Sequence, residues 1–398
     1  MPETATIKPA TQTGYRQCTR CVLDTTSTAI SFDEQGICNY CRDAEKQLNK
    51  FIRIDPAIRK KNLDEIVAKI KKTGKGKKYD CILGLSGGVD SSYTALLSKE
   101  LGLRPMAVHF DNGWNSELAV KNIENIISTL GLDLHTYVID WEEFKDIQLA
   151  YLKASVVDIE VPTDQLIFAA LNKLAHKHGI KCILSGYNIV TEFGMPHDWA
   201  WRQKQDQTNL MNIYRKFGSG RKLTTMPRFD FYKRFFYQQI CGIETVSLLN
   251  YVDYNKKAVK ERISKELEWK DYGGKHYESV FTRFYQGYIL PKKFNVDKRK
   301  AHLSALIWSG QISRAEALGE LQSEPYDVKL QEEDKEFVIK KLGLTREEFE
   351  KIMAAPRKEH EEYGLESADA SSHKMYTALM SPLVKFLDLY RRALNKLK

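Results

Sequence analysis

The sequence predicts an α/β protein: a parallel sheet with helices on both faces, a small metal-held module before it and a helical domain after it. Three observations carry this expectation. Short apolar runs alternate with helical periodicity between residues 79 and 185. Four of the seven cysteines fall within the first 50 residues. Beyond residue 245 the strand pattern gives way to successive helical segments. A chain of 398 residues also exceeds what one ordinary core covers. The expected division is 1–55 for the four-cysteine module, 56–245 for the α/β domain and 246–398 for the helical domain.

In chain order, residues 64–72 carry Ile66, Val67 and Ile70 in helical period, and the lysine-rich stretch 71–78 reads as a solvated loop that could also steer anions. Strands are expected at 79–85, 105–110, 134–139 and 181–185. Helices are expected between them at 90–101, 118–130 and 164–178. Further helices are expected at 256–268, 296–309, 314–320, 334–342, 346–354 and 375–397. Thr345 and Glu348 have the spacing of a capping box.

Composition is that of an ordinary globular chain, 42% hydrophobic and 28% charged, with a net charge of +9 that favours anionic partners. No run of about 18 apolar residues predicts a membrane span, and residues 1–13 lack the apolar core of a signal peptide. The expectation is a cytoplasmic protein, where disulfides rarely persist.

The most informative segment is Leu83-Gly84-Leu85-Ser86-Gly87-Gly88-Val89-Asp90-Ser91-Ser92. A buried strand runs into two glycines and a helix begins at once. Glycines permit positive φ and close approach of backbone N–H groups, and the helix start offers free N–H groups and a positive dipole end. Ser86, Ser91 and Ser92 add hydroxyls, so the segment forms an anion cradle. No Gly-Lys-Ser/Thr follows, which excludes a Walker loop. Asp90 beside polyphosphate calls for an intervening Mg²⁺. The bland alternative is a glycine turn with Asp90 as a cap. The run Ser86 to Ser92 resembles the PP-loop of the ATP pyrophosphatases, whose fold is adenine nucleotide α-hydrolase-like. That resemblance implies ATP cleavage to AMP and pyrophosphate, with Ser86, Gly87, Gly88, Asp90, Ser91 and Ser92 on the phosphates. It also implies Asp111 and Gly186 as nucleotide-binding residues at the ends of later strands.

Cys18-Thr19-Arg20-Cys21 and Cys38-Asn39-Tyr40-Cys41 are separated by sixteen residues. Paired CxxC turns at that spacing read as a closed, structural, zinc-ribbon-like Zn²⁺ site, ahead of disulfides or an iron–sulfur cluster. Cys81, Cys182 and Cys241 read as core residues.

Aromatic and basic residues interleave from Gly194 to Tyr237. This stretch could stack bases, hold a nucleotide sugar, meet a membrane surface or simply pack the core. Lys275, His276, Glu278, Thr282, Arg283 and Gln286 have helical spacing and read equally as a polar site or a solvated helix face.

Nearly the whole chain resembles the N-acetyl sugar amidotransferases of bacterial surface-polysaccharide and nonulosonate biosynthesis. The match lies in Cys18 to Thr26, the PP-loop, Val161-Pro162-Thr163-Asp164, Lys275 to Ser279, Leu290 to Arg299 and Leu303 to Ile312. It implies adenylation of the acetamido oxygen of a nucleotide-linked sugar and its replacement by ammonia. Within the matching blocks Ser86, Asp90, Asp164 and Lys275 are the candidate catalytic residues. No glutaminase nucleophile is evident, so the resemblance implies an ammonia-supplying glutaminase and a barrel subunit similar to those of histidine biosynthesis. The competing expectation is a tRNA-thiolating PP-loop enzyme. Against it, no second CxxC follows the sheet, and nucleic acid is not the expected partner.

Overall fold

The computed structural model describes residues 14–366, 374–383 and 385–386. Residues 1–13, read above for a leader, lie outside the described residues, as does much of the helix expected at 375–397; residues 374–383 are helical.

Five parallel strands form one sheet: β1 (Cys81–Gly84), β2 (Pro105–Asp111), β3 (Asp133–Val138), β4 (Cys182–Leu184) and β5 (Glu244–Val246), in the order β3-β2-β1-β4-β5. Side-chain alternation divides the residues of the inner strands between two cores. Leu83, Ala107 and Leu184 face one apolar cluster with Leu96 and Ile263, while Ile82, Val108 and Ile183 face another with Leu174 and Ala175. Covering both faces explains why β1 reads as an unbroken apolar run. β3 lies at the edge, where Leu134 and Val138 are exposed.

Within the described residues the other expected strands and helices are present, with helix boundaries moved by polar caps. The first helix expected, 64–72, begins at Pro56 because Asp55 accepts from Ala57 N at 2.7 Å. The helix expected at 334–342 begins at Val328, capped by Asp327. The one expected at 296–309 begins at Arg299, since Asn295 turns left-handed at φ 54° and ends the preceding turn. The helix Trp141–Ala154 was not expected; Asp140 caps it through Glu143 N at 2.9 Å. The capping box at Thr345 and Glu348 is present.

One apolar cluster contains the four N-terminal cysteines together with Phe144, Trp199, Phe281 and Val338. The boundaries placed at 55 and 245 therefore cross a continuous core. Asp198 ties the cysteine module down further, accepting from Thr28 N at 2.7 Å and Ser27 Oγ at 2.8 Å. In the aromatic stretch, Trp199 and Phe229 are fully buried and Trp201 nearly so, whereas Tyr232 and Phe236 are exposed. Much of that stretch is thus core. Cys81, Cys182 and Cys241 are also buried, and burial pushes the Cys182 thiol up to about 12.

Candidate active site

β1 and β4 are neighbours whose following connections lead to opposite sides of the sheet, toward β2 and β5. Crevices form beyond strand C-termini at such switch points. A cavity of about 670 Å³ opens there, lined by Gly84 and Ser86 after β1 and by Gly186 and Tyr187 after β4.

The phosphate-loop segment braces itself. Gly87 sits at φ 81°, and a Cβ there would lie 2.7 Å from the Ala119 carbonyl oxygen, so only glycine fits without movement. Its own carbonyl accepts from Trp269 Nε1 at 2.8 Å and from the Tyr272 hydroxyl at 3.3 Å. Gly88 N donates to Ser86 Oγ at 3.2 Å, and the Ser91 and Ser92 hydroxyls donate to Gly88 O at 3.1 and 2.7 Å. The helix Val89–Glu100 begins at this loop. Gly186 allows the β4 end to pass close by, because a Cβ there would stand 3.2 Å from Ser91 N.

Asp90 lies in the first turn of that helix. Its carboxylate accepts from Asn188 Nδ2 at 3.2 Å and from the Tyr254 hydroxyl. Burial raises its pKa above the usual carboxylate range, with the Lys275 ammonium opposing that rise.

The facing wall is rich in lysine and histidine, with Glu192, Glu278 and Glu320 among them. Lys256, Lys275, His276, Lys298 and His302 all line the cavity. Lys275 pairs with Glu192 and donates to Thr191 O at 3.2 Å. Burial would raise Glu192, but Lys275 and His276 hold it below its ordinary value. Burial and the neighbouring Lys275 and Lys260 bring Lys256 down to about 8. Burial also lowers Lys298, and drives His302 well below the usual histidine value. The array suits a polyanion whose charge replaces the water these groups have lost.

Among the residues expected to bind nucleotide, Ser86, Gly88, Asp90, Ser91 and Gly186 line this cavity. Gly87 and Ser92 stand behind it and shape the loop. Asp111 does not line it; its carboxylate accepts from Gly113 N at 3.0 Å at the end of β2. Asp164 does not line it either. It pairs with Lys204 at 2.6 Å, and Lys204 also contacts buried Asp158 at 3.2 Å. The cluster from Lys275 to Gln286 is no solvated helix face. Lys275 and His276 lie in a loop, helix Val280–Phe284 follows, and Lys275, His276, Arg283 and Gln286 all line the cavity. Glu192, Tyr254, Lys256, Tyr272, Lys298 and His302 were missed. Lys298 lies in the block Leu290 to Arg299 without having been singled out, the others lie singly between the recognised blocks, and only the fold gathers them.

The four N-terminal cysteines converge. Cys18–Cys41, Cys21–Cys38 and Cys38–Cys41 Sγ distances are 3.7, 3.7 and 3.6 Å. A tetrahedral ion with Zn–S bonds of about 2.3 Å has edges of about 3.8 Å, so the cluster fits zinc. Cys38 N donates to Cys18 Sγ at 3.3 Å, and the Trp308 indole N–H to Cys41 Sγ at 3.1 Å. Trp308 is a further residue that spacing alone could not reveal.

Among the described residues no helix is long and apolar enough to cross a membrane. Residues 59–157 match the family described as NAD synthase, and residues 278–380 match the one described as LPS biosynthesis protein WbpG-like, C-terminal domain. Together the two matches support a PP-loop ATP pyrophosphatase of the polysaccharide-biosynthesis type. No curated protein matched the chain. Among solved structures, NMN synthetase from Francisella tularensis is similar at 13% identity and a TM-score of 0.28, over 58% of this chain and 93% of that one.

Proposed function

We propose that this chain is an ATP-dependent amidotransferase that converts the acetamido group of a nucleotide-linked N-acetyl sugar to an acetamidino group, releasing AMP and pyrophosphate. The observation that carries the reading is one cavity with the phosphate loop on one side and a lysine- and histidine-rich wall on the other. Its volume falls within the range of about 300–1,000 Å³ usual for small-molecule sites. The wall includes residues from the segment matched to the WbpG-like domain, among them Arg283, Lys298 and His302.

The chemistry follows from the groups present. The amide oxygen attacks the α-phosphorus, an O–P bond forms, and the bond to the β-phosphate oxygen breaks with loss of pyrophosphate. Ammonia adds to the imidate carbon, one proton leaves the new nitrogen, and AMP departs to give the amidinium. The Val89 backbone N–H and the Ser86 hydroxyl hold phosphate oxygens, while Gly88 N–H fixes Ser86 Oγ in place. Lys275 and Lys256 offset charge developing on the α-phosphate; one such fixed donor is worth roughly 10²–10³ in rate. Asp90 suits a Mg²⁺ ion, since it is a carboxylate beside a phosphate cradle, and that ion would neutralise polyphosphate charge. Asp164, paired with Lys204, orders the first turn of helix Val161–Lys177. Zinc in the cysteine cluster has no open position and is structural. Ammonia comes from a glutaminase working with a barrel subunit.

Mass spectrometry tests the reading. Purified chain, ATP and ammonium are incubated with UDP- and CMP-linked acetamido sugars. Expected products are AMP, pyrophosphate and a sugar in which NH has replaced oxygen. Sulfur transfer to tRNA with no change in any sugar would refute it.

A further inference from the structure

The lysine- and histidine-rich wall holds a second feature. Glu192, His276 and His302 come from three separate elements: the helix Ile189–Glu192 after β4, the loop before helix Val280–Phe284, and the helix Arg299–Trp308. One ligand atom from each lies within 4.8 Å of the other two. Two imidazoles and a carboxylate form a donor set for a divalent transition ion with open positions left for other ligands.

Three observations set this trio apart from chance proximity. His276 holds φ at 64°, a left-handed conformation that costs a non-glycine residue energy, and such strain concentrates where side-chain placement matters. Neither ring nitrogen of His302 has a hydrogen-bond partner among the described residues, and the nearest carboxylate to His276 Nδ1 is Glu278 at 3.6 Å. All three residues line the same cavity as Ser86 and Asp90.

We infer that Glu192, His276 and His302 form a divalent transition-metal site that fills together with the polyphosphate of the nucleotide. With metal–ligand bonds of about 2.1 Å, tetrahedrally placed ligands of one ion stand about 3.4 Å apart, so the trio, whose ligand atoms lie within 4.8 Å of one another, closes by up to about 1.4 Å on binding. Rotation about the side-chain bonds supplies that movement. Lys275 already pairs with Glu192, and Lys256 stands in the same wall. A lone cation would meet both ammonium groups. Phosphate oxygens remove the conflict by taking Lys275 from Glu192 and occupying the ion's open positions. The site is separate from Asp90, whose carboxylate is held by Tyr254 and Asn188.

This inference rests on ATP binding in the cavity, and not on the identity of the sugar. The test uses protein whose cysteine cluster is already loaded with zinc. Co²⁺ is titrated with and without α,β-methylene ATP, and visible absorption is followed. Expected is one further ion per chain, without thiolate charge-transfer bands, binding at least tenfold more tightly when the analogue is present. His302→Gln and Glu192→Gln should each weaken cobalt binding at least tenfold. His276→Gln, in a loop, repeats the test should either helix variant fail to fold. No cobalt uptake beyond the zinc, or uptake equally tight in the histidine variants, overturns the inference. An unchanged affinity on adding the analogue overturns it also. Cobalt bound as expected with no sugar converted would sustain this site and refute the substrate reading; sugar converted with no cobalt bound would do the reverse.

Discussion

Trp308→Phe removes an indole that donates to the cysteine cluster. The Trp308 N–H donates to Cys41 Sγ at 3.1 Å, and both residues are buried. A hydrogen bond to a charged acceptor such as a metal-bound thiolate contributes about 1.5–3 kcal/mol. At about 1.4 kcal/mol per factor of ten, its loss should weaken zinc binding roughly 10- to 100-fold. That is also the range in which groups behind a metal's ligands act. The smaller ring leaves unfilled space and costs further stability of about 1 kcal/mol or more, independent of the metal. Competition with a chromophoric zinc chelator separates the two effects. The variant should release zinc at proportionally lower chelator concentration, while the melting temperatures of the two metal-free proteins report the packing loss, since weaker binding also lowers stability in saturating zinc. Wild-type chelator resistance in Trp308→Phe, with rapid zinc loss from Cys38→Ser, would show that the indole bond contributes nothing to the metal.

Three other outcomes are expected. Asp90→Asn should abolish release of AMP and pyrophosphate with no loss of melting temperature, since burial already disfavours the charged carboxylate; undiminished pyrophosphate release would exclude Asp90 as the Mg²⁺ ligand. Lys256, brought down to about 8 by burial, is an ammonium below that pH and neutral above it. ATP affinity measured by calorimetry should therefore fall as pH rises past about 8, by up to about tenfold per unit, and Lys256→Met should flatten the profile. His360 is buried, stacked on Trp201 at 4.7 Å, and burial lowers it to about 4 from an ordinary 6.5. Between those values the unfolded chain takes up a proton that the folded chain refuses, so stability falls as pH drops. Urea unfolding at pH 5 should give about 2 kcal/mol less than at pH 7, and an equal drop in His360→Gln would locate the effect elsewhere.

Local pattern made the sheet, the phosphate loop and the cysteine cluster legible. Ile82 and Leu83 announce a strand because each faces a different core, and Gly87 announces a turn because its backbone demands it. CxxC spacing is itself the geometry of a metal turn. Helix starts at Pro56 and Val328 were less legible, since capping aspartates act before any apolar period begins. The lysine- and histidine-rich wall was the least legible. Lys256, Lys298 and His302 acquire meaning only from the convergence of separate elements on one cavity. Asp111 and Asp164 show the reverse case: residues in recognisable blocks whose carboxylates are engaged away from the cavity.

The cysteine module is held by residues made long after it. Val22 N donates to Ser304 Oγ at 3.2 Å, Arg314 reaches the carbonyls of Cys18 and Cys21 at 3.0 Å each, and Lys300 pairs with Asp24 at 2.5 Å. On the ribosome, where synthesis runs at about 5–20 residues per second, the module emerges ahead of these partners and waits many seconds for them. Zinc captured early would keep its thiolates from oxidation during that interval. The same long-range closure makes the chain a slow folder by topology, and it means that the cysteine module is not a detachable unit. A fragment ending near residue 245 would expose Val22 and leave Asp24 without its Lys300 partner, so expression of such a fragment should give aggregates rather than a working half.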